Sequence, residues 1–131
     1  MGSVGPQSSF PNHIGIVVKD VEATASLFTA MWGSLGLGSW NFQETSQAKD
    51  GETGGGPFVL KLGVAEWPTL GQVFELIQPI TANSLWHRFI EEKGEGIHHI
   101  AYNASDYDGE VVKLARLGAI MTFSGTYQGR R

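Results

Sequence analysis

The hydrophobic and polar positions of the chain follow two different periods, and these periods predict the elements of the fold. Short apolar runs rich in β-branched residues predict strands, whereas apolar residues three and four positions apart predict amphipathic helices. Helices are predicted after Asp20, over 84–94 and after Asp106. The predicted strands cover residues 12–18, 39–44, 58–64, 71–79, 97–104 and 119–125. The resulting order is β-α-β-β-β, a linker helix and then β-α-β.

The second half of this pattern repeats the first. When His13 is set on His99, "HIGIVVKDVE" aligns with "HIAYNASDYD", and Asp20, the predicted cap of the first helix, falls on Asp106. Two strand-to-helix units that begin in the same way predict two related modules, in which His13 and His99 converge from equivalent strands. His98 has no such counterpart. Because side chains alternate along a strand, His98 is predicted to point to the opposite face.

One carboxylate could join the two matched histidines. Glu75 lies in the predicted strand "GQVFELIQP", on a face that it shares with apolar residues. A carboxylate on such a face is costly unless it is paired or bound to metal. Two histidines and a carboxylate suit zinc, iron, nickel, cobalt or manganese, so His13, Glu75 and His99 are a candidate metal site. An ion pair between Glu75 and Lys61 on the neighbouring strand is the alternative.

Composition narrows the class of protein. The chain has 131 residues, no cysteine and a formal net charge of −4 without a basic run. These features favour a single domain, exclude disulfides and thiolate metal sites, and argue against nucleic acid or an anionic membrane surface as a partner. No apolar run approaches the roughly 20 residues that cross a membrane. The start is not a secretion signal, so a cytoplasmic protein is predicted.

Three stretches, "NHIGIVVKDVEAT", "FELIQP" and "GEGIHHIAYNASD", together resemble the vicinal oxygen chelate superfamily of glyoxalase I, bleomycin resistance proteins and dioxygenases. The similarity is strongest to the methylmalonyl-CoA epimerase-like branch. It implies an α+β fold, in which paired βαβββ modules form a cupped mixed sheet around a divalent metal. The implied organisation is a flexible lead-in over 1–11 and a single domain over 12–131, with module one at about 12–80, the linker helix at about 82–93 and module two at about 96–131.

The resemblance also implies a reaction. His13, Glu75 and His99 match family ligand positions, which implies a bound divalent metal ion (Zn, Co, Mn, Ni or Fe). Such a metal acts as a Lewis acid that stabilises an enolate-type intermediate on a small carbonyl or acyl substrate, acyl-CoA included. The implied protein is a metal-dependent isomerase or lyase. Two alternatives stay open: a non-catalytic protein that binds a small molecule or antibiotic, and an extradiol-type dioxygenase.

The chain departs from the epimerase-like branch near its third strand. Where that branch carries an acidic proton-transfer residue, this sequence has Lys61, which is a candidate acid/base group together with Glu44. Trp40 and Phe42 give the preceding strand an aromatic face. That face is a candidate substrate surface or part of the core.

The second predicted module is shorter than the first and lacks the strand that carries the family's fourth ligand. Residues beyond Arg131, a partner chain or a three-ligand site would each account for this difference. The predicted strand at 119–125 would present an unpaired edge, which proteins normally cover. We therefore predict a homodimer.

Overall fold

The computed structural model describes residues 12–47 and 57–121. Residues Asn12–Ala101 form one compact unit, and residues from Tyr102 onward belong to a second unit, which is described by itself. The predicted lead-in over 1–11 lies outside the described residues. The prediction of a single domain over 12–131 stays a prediction.

The elements follow the predicted order through the third helix. They are β1 (His13–Val17), α1 (Val21–Trp32), β2 (Asn41–Gln47), β3 (Phe58–Trp67), β4 (Gln72–Pro79), α2 (Leu85–Lys93), β5 (Gly96–Ala101) and α3 (Tyr107–Arg116). Short 3-10 turns follow α1 and β3, at Gly33–Leu35 and Pro68–Leu70. The predicted α+β class is confirmed. None of the described helices is long and apolar enough to cross a membrane.

Local signals in the sequence set the ends of the helices. The side chain of Asp20 accepts a hydrogen bond of 3.1 Å from the backbone N–H of Ala23, which caps α1. Asp106 caps α3 in the same way, by accepting a bond of 3.0 Å from the N–H of Gly109. Gly36 has φ = 110°, a left-handed conformation that favours glycine, and it ends the turn that follows α1. The two predicted aspartate caps are confirmed.

Several predicted strands differ from the structure. β2 begins at Asn41 and runs on to Gln47, and β5 ends at Ala101 instead of continuing to residue 104. β3 runs on to Trp67, because Ala65, Glu66 and Trp67 continue to pair with β4 up to the turn that begins at Pro68. Proline cannot donate to a strand ladder, so the pairing stops there. Residues 119–121, the start of the last predicted strand, are not in a strand. The rest of that predicted strand lies outside the described residues.

The strands form one mixed sheet in the order β2-β3-β4-β1-β5. Helix α1 packs on one face, where Val21 and Ala25 contact Leu76 of β4. Trp86 of α2 packs on the opposite face, against a buried cluster of Phe58, Leu60, Leu62 and Ile77. Alternate residues of each strand therefore face α1 or α2, and this parity decides which side chains can meet.

Replacing Ile77 with valine tests the burial of the α2 face. Ile77 is 1% exposed, so the removal of one methylene should lower the free energy of unfolding by about 0.5–1.5 kcal/mol. Urea unfolding followed by circular dichroism measures this loss. Ile97→Val is the matched control, because Ile97 is 66% exposed and the same change should cost less than about 0.5 kcal/mol. Equal losses in the two variants would contradict the assigned packing.

Candidate metal centre

One row of residues crosses all five described strands and carries two of the predicted ligands. Asn41 of β2 pairs with Val64 of β3, and Val64 pairs with Glu75 of β4. Glu75 pairs with Gly15 of β1, and Gly15 pairs with His99 of β5. Directly paired residues lie on the same face of a sheet. The side chains of Glu75 and His99 are therefore separated only by a glycine.

The third predicted ligand, His13, lies two residues before Gly15 and so shares its face. Its Nε2 atom lies 3.3 Å from Oε1 of Glu75 and 3.3 Å from Nε2 of His99. The His99 Nε2 atom lies 3.6 Å from the same carboxylate oxygen. The predicted convergence of His13, Glu75 and His99 is confirmed. Their role as metal ligands stays a prediction.

These three atoms have the separations that a bound divalent metal requires. Metal–nitrogen and metal–oxygen bonds of about 2.0–2.2 Å, at tetrahedral or octahedral angles, place neighbouring ligand atoms about 3.0–3.5 Å apart. Two of the observed distances, at 3.3 Å each, lie within this range, and the third, at 3.6 Å, lies just above it. Two imidazoles and one carboxylate are also a donor set for zinc, iron, cobalt, nickel or manganese. The three side chains therefore fit a divalent metal ion.

The carboxylate of Glu75 is buried, and its environment keeps it ionised. Burial by itself would raise the pKa of this group, but the neighbouring imidazoles of His13 and His99 lower its pKa to about 2. An ionised carboxylate in a partly apolar setting needs cationic or hydrogen-bonding partners. In the metal-free protein the two histidines supply them, and a metal ion would take over that role.

Gly15 makes room for the cluster. A Cβ atom at this position would overlap the imidazole ring of His99, which lies directly over the backbone of β1. A glycine inside a strand often marks such a close approach. Sequence reasoning missed this residue, although "HIGIV" shows a lone glycine between apolar positions.

Gly15→Ala should displace the His99 ring and weaken divalent metal binding by about 10- to 100-fold, the range typical of lost ligand support. Gly96→Ala is the matched control, since it lies in β5 and a Cβ there meets nothing within 4 Å. Calorimetric titration of both chelator-treated variants with Co²⁺ measures the difference. If Gly15→Ala bound Co²⁺ as tightly as Gly96→Ala, His99 would not depend on this space.

The prediction for His98 is partly wrong. His98 is absent from the three-residue cluster, as predicted, but it does not point to the opposite face. Gly15 pairs with His99 whereas the next residue, Ile16, pairs with Ile97, so His98 is the extra residue of a β-bulge. Its ring lies on the α2 face. Burial and the charge of neighbouring His99 lower the pKa of His98.

The predicted acid/base groups lie on the other side of the sheet. Lys61 donates a hydrogen bond of 2.8 Å to Oε1 of Glu22 on α1, and this bond raises the pKa of Lys61. Glu44 pairs directly with Lys61 and shares its face. Because Glu75 faces the α2 side, the alternative ion pair between Glu75 and Lys61 is wrong. The structure likewise places Lys61 and Glu44 away from the cluster.

The predicted aromatic surface also belongs to the α1 side. Trp40 packs against Phe28 of α1, and its Nε1 donates a bond of 3.1 Å to Oγ1 of Thr29. The ring of Phe42 lies beside Gly63 on the same face and is 40% exposed. Of the two interpretations of this face, core packing describes Trp40. Neither aromatic ring lies with the candidate ligands.

Comparison with known proteins places these features in one family. The sequence profile of the Glyoxalase/Bleomycin resistance protein/Dioxygenase superfamily matches residues 12–131. The uncharacterized protein YqjC of Bacillus subtilis (strain 168) is 34% identical over 91 residues, which cover 70% of this chain and 54% of YqjC. This chain thus spans about half the length of that curated relative.

Solved structures share the fold. Methylmalonyl-CoA epimerase from Mycobacterium tuberculosis is 20% identical with a TM-score of 0.59, over 81% of this chain and 62% of the epimerase. A variant of Streptomyces coelicolor methylmalonyl-CoA epimerase, in complex with 2-nitronate-propionyl-CoA, is 22% identical with a TM-score of 0.57, over 89% and 75% of the two chains. At these identities the likeness extends to the fold alone.

Proposed function

Since the chain belongs to the Glyoxalase/Bleomycin resistance protein/Dioxygenase superfamily, we propose that it is a metal-dependent isomerase or lyase. The substrate is a small carbonyl or acyl compound, and an acyl-CoA is the first candidate. The convergence of His13, Glu75 and His99 within 3.6 Å of one another carries this proposal. The CoA ligand named for the similar Streptomyces epimerase supports the choice of substrate.

The three ligands have distinct tasks in the proposed site. A divalent metal, when bound, supplies a Lewis acid that stabilises negative charge on a carbonyl oxygen. His13 and His99 contribute neutral imidazole nitrogens, and Glu75 contributes the negative charge that its lowered pKa preserves near neutral pH. Each ligand lies on a different strand of one sheet, so the strand pairing holds their positions before a metal arrives.

The same face of the sheet offers surroundings for a substrate. Asn41 and Gln43 of β2 lie on this face, since they pair with Val64 and Leu62. In this proposal their amide groups hydrogen-bond a polar substrate. Lys61 and Glu44 have no part in the proposal, because they project from the α1 face.

Proton exchange at a substrate carbon tests the proposed reaction. Chelator-stripped protein reloaded with Co²⁺ is incubated in D₂O with methylmalonyl-CoA and with a panel of small 2-substituted carbonyl compounds. We expect metal-dependent loss of the proton next to the carbonyl, observed by NMR, and no exchange in the stripped protein. Stoichiometric metal binding without exchange of any substrate would reject an isomerase or lyase.

A homodimer and a cytoplasmic location stay further predictions.

An extradiol-type dioxygenase is the second candidate, because two histidines and one carboxylate also suit ferrous iron with open coordination positions. Protein loaded anaerobically with Fe²⁺ and mixed with catechol should then consume oxygen when air is admitted.

The third possibility, a metal-independent binding protein, predicts ligand affinity that chelators do not change. Of the two aromatic residues that could form its binding surface, Trp40 packs against Phe28 of α1.

A further inference from the structure

We propose that His98 is a positioning residue, which holds the proton of His99 on Nδ1 and so leaves His99 Nε2 free to bind metal. The inference rests on the proposed metal site and assigns a role to the first histidine of the adjacent pair. The Nδ1 atoms of His98 and His99 lie 3.0 Å apart. At this distance one ring must donate a hydrogen bond and the other must accept it.

The direction of this bond decides whether His99 can act as a ligand. If His98 donated, neutral His99 would carry its proton on Nε2, and that proton would occupy the side that faces Glu75. If His99 donates, its Nε2 lone pair points into the cluster. Ligating histidines in proteins almost always donate their other ring N–H to a neighbouring acceptor, which fixes the tautomer and the ring orientation. His98 Nδ1 is such an acceptor.

Distances within the cluster favour the second direction. The His99 Nε2 atom lies 3.6 Å from Oε1 of Glu75. This distance is too long for a hydrogen bond from a neutral His99 ring. It lies 3.3 Å from Nε2 of His13, which can itself donate to His99 or, at 3.3 Å, to Glu75. The shortest contact of His99 is the one with His98, at 3.0 Å. His99 therefore has its best acceptor outside the cluster.

The β-bulge and helix α2 hold the His98 ring in place. As the extra residue of the bulge, His98 stays on the same face as His99 instead of turning away. Its ring packs edge-on against Phe89, with centroids 4.9 Å apart, and lies 6.3 Å from the ring of Trp86. A half-buried ring between two aromatic side chains has few alternative rotamers. The acceptor thus has a fixed position before metal binds.

The sequence itself suggests the conservative replacement. In the first module, Asn12 precedes His13 where His98 precedes His99. The Oδ1 atom of asparagine occupies nearly the same place as Nδ1 of histidine and is also an acceptor. His98→Asn should therefore keep the bond from His99, whereas His98→Leu fills similar space without an acceptor. His87→Leu on α2 is the matched control for the loss of a histidine.

Two measurements on these variants test the role. Calorimetric titration with Co²⁺ at a pH near 8 gives the dissociation constant, for which we expect an increase of about 10- to 100-fold in His98→Leu and less than about threefold in His98→Asn and His87→Leu. Nitrogen-15 NMR of the metal-free proteins at the same pH identifies the tautomer of His99. We expect the Nδ1–H form in the wild-type protein and in His98→Asn, and a shift toward the Nε2–H form in His98→Leu. Circular dichroism verifies that each variant is folded.

The two readouts separate this inference from the proposed function. An unchanged Co²⁺ affinity and an unchanged His99 tautomer in His98→Leu would overturn the positioning role and leave the metal site intact. An equal loss of Co²⁺ affinity in His98→Asn and His98→Leu would overturn it too, because a hydrogen-bond acceptor at position 98 would then make no difference to metal binding. Wild-type protein that binds no Co²⁺ but shows the expected tautomer change would uphold the positioning role and reject the proposed function.

Discussion

Glu75→Gln should raise the dissociation constant for Co²⁺ by at least about a hundredfold, beyond the 10- to 100-fold effects of outer-shell residues. The substitution keeps the volume of the side chain but removes the negative charge on the oxygen that lies 3.3 Å from His13 and 3.6 Å from His99. The midpoint of thermal unfolding gives an independent check of the affinity measured by calorimetry. Saturating Co²⁺ raises it in the wild-type protein, since a ligand of the folded state stabilises that state, and raises it little in the variant.

Glu22→Gln is the matched control for this experiment. It makes the same chemical change on the α1 face, where Glu22 accepts a hydrogen bond from Lys61. Its Co²⁺ affinity should equal that of the wild-type protein. A Glu75→Gln variant that binds Co²⁺ within about threefold of wild type would remove Glu75 from the ligand set and, with it, the observation on which the proposed function depends.

Between pH 7.5 and pH 5.5 the Co²⁺ affinity should fall by about a hundredfold, roughly tenfold for each of the two imidazole ligands, because protons compete with the metal for their nitrogen atoms. Glu75 does not contribute to this change. Its pKa is lowered from 4.5 to about 2, so the carboxylate is ionised throughout the interval. The folding stability that this lowered pKa provides is complete above about pH 4.5 and is lost only as the pH falls toward 2.

The number of histidines sets the steepness of the pH dependence. His13→Gln should bind Co²⁺ more weakly at every pH, and its affinity should fall by only about tenfold over the same interval, because one proton fewer is displaced. Titration calorimetry at several pH values measures both slopes. A flat wild-type affinity down to pH 5.5 would contradict histidine ligation.

The convergence of His13, Glu75 and His99 could be predicted from the sequence because it depends on local patterns. The repeat of His-Ile with an aspartate cap placed His13 and His99 at equivalent positions, and alternation along β4 placed Glu75 on an apolar face. The pairing of β1 with β4 and β5 then brings these three residues together.

Relations between strands account for the predictions that failed. Alternation along β3 shows that Lys61 and Val64 lie on opposite faces of that strand. Only the pairing of Val64 with Glu75 shows that the cluster lies on the face of Val64, so that Lys61 lies on the other side of the sheet. His98 was predicted to turn away because a bulge is created by the pairing of β1 with β5 and leaves no signal in "GIHHIA". The same register places Gly15 beside His99, where a Cβ atom would overlap the imidazole ring.

A metal held by His13, Glu75 and His99 would also act as a reversible cross-link in a chain that has no cysteine. The two histidines are 86 residues apart in sequence, so the bound ion would close a long loop that the unfolded chain leaves open. Loop closure lowers the conformational entropy of an unfolded chain, and its effect increases slowly with loop length. Because β5 joins the sheet through β1 alone among the described strands, this strand would gain most from the cross-link. The ion would then stabilise the fold as well as supply the chemistry of the site.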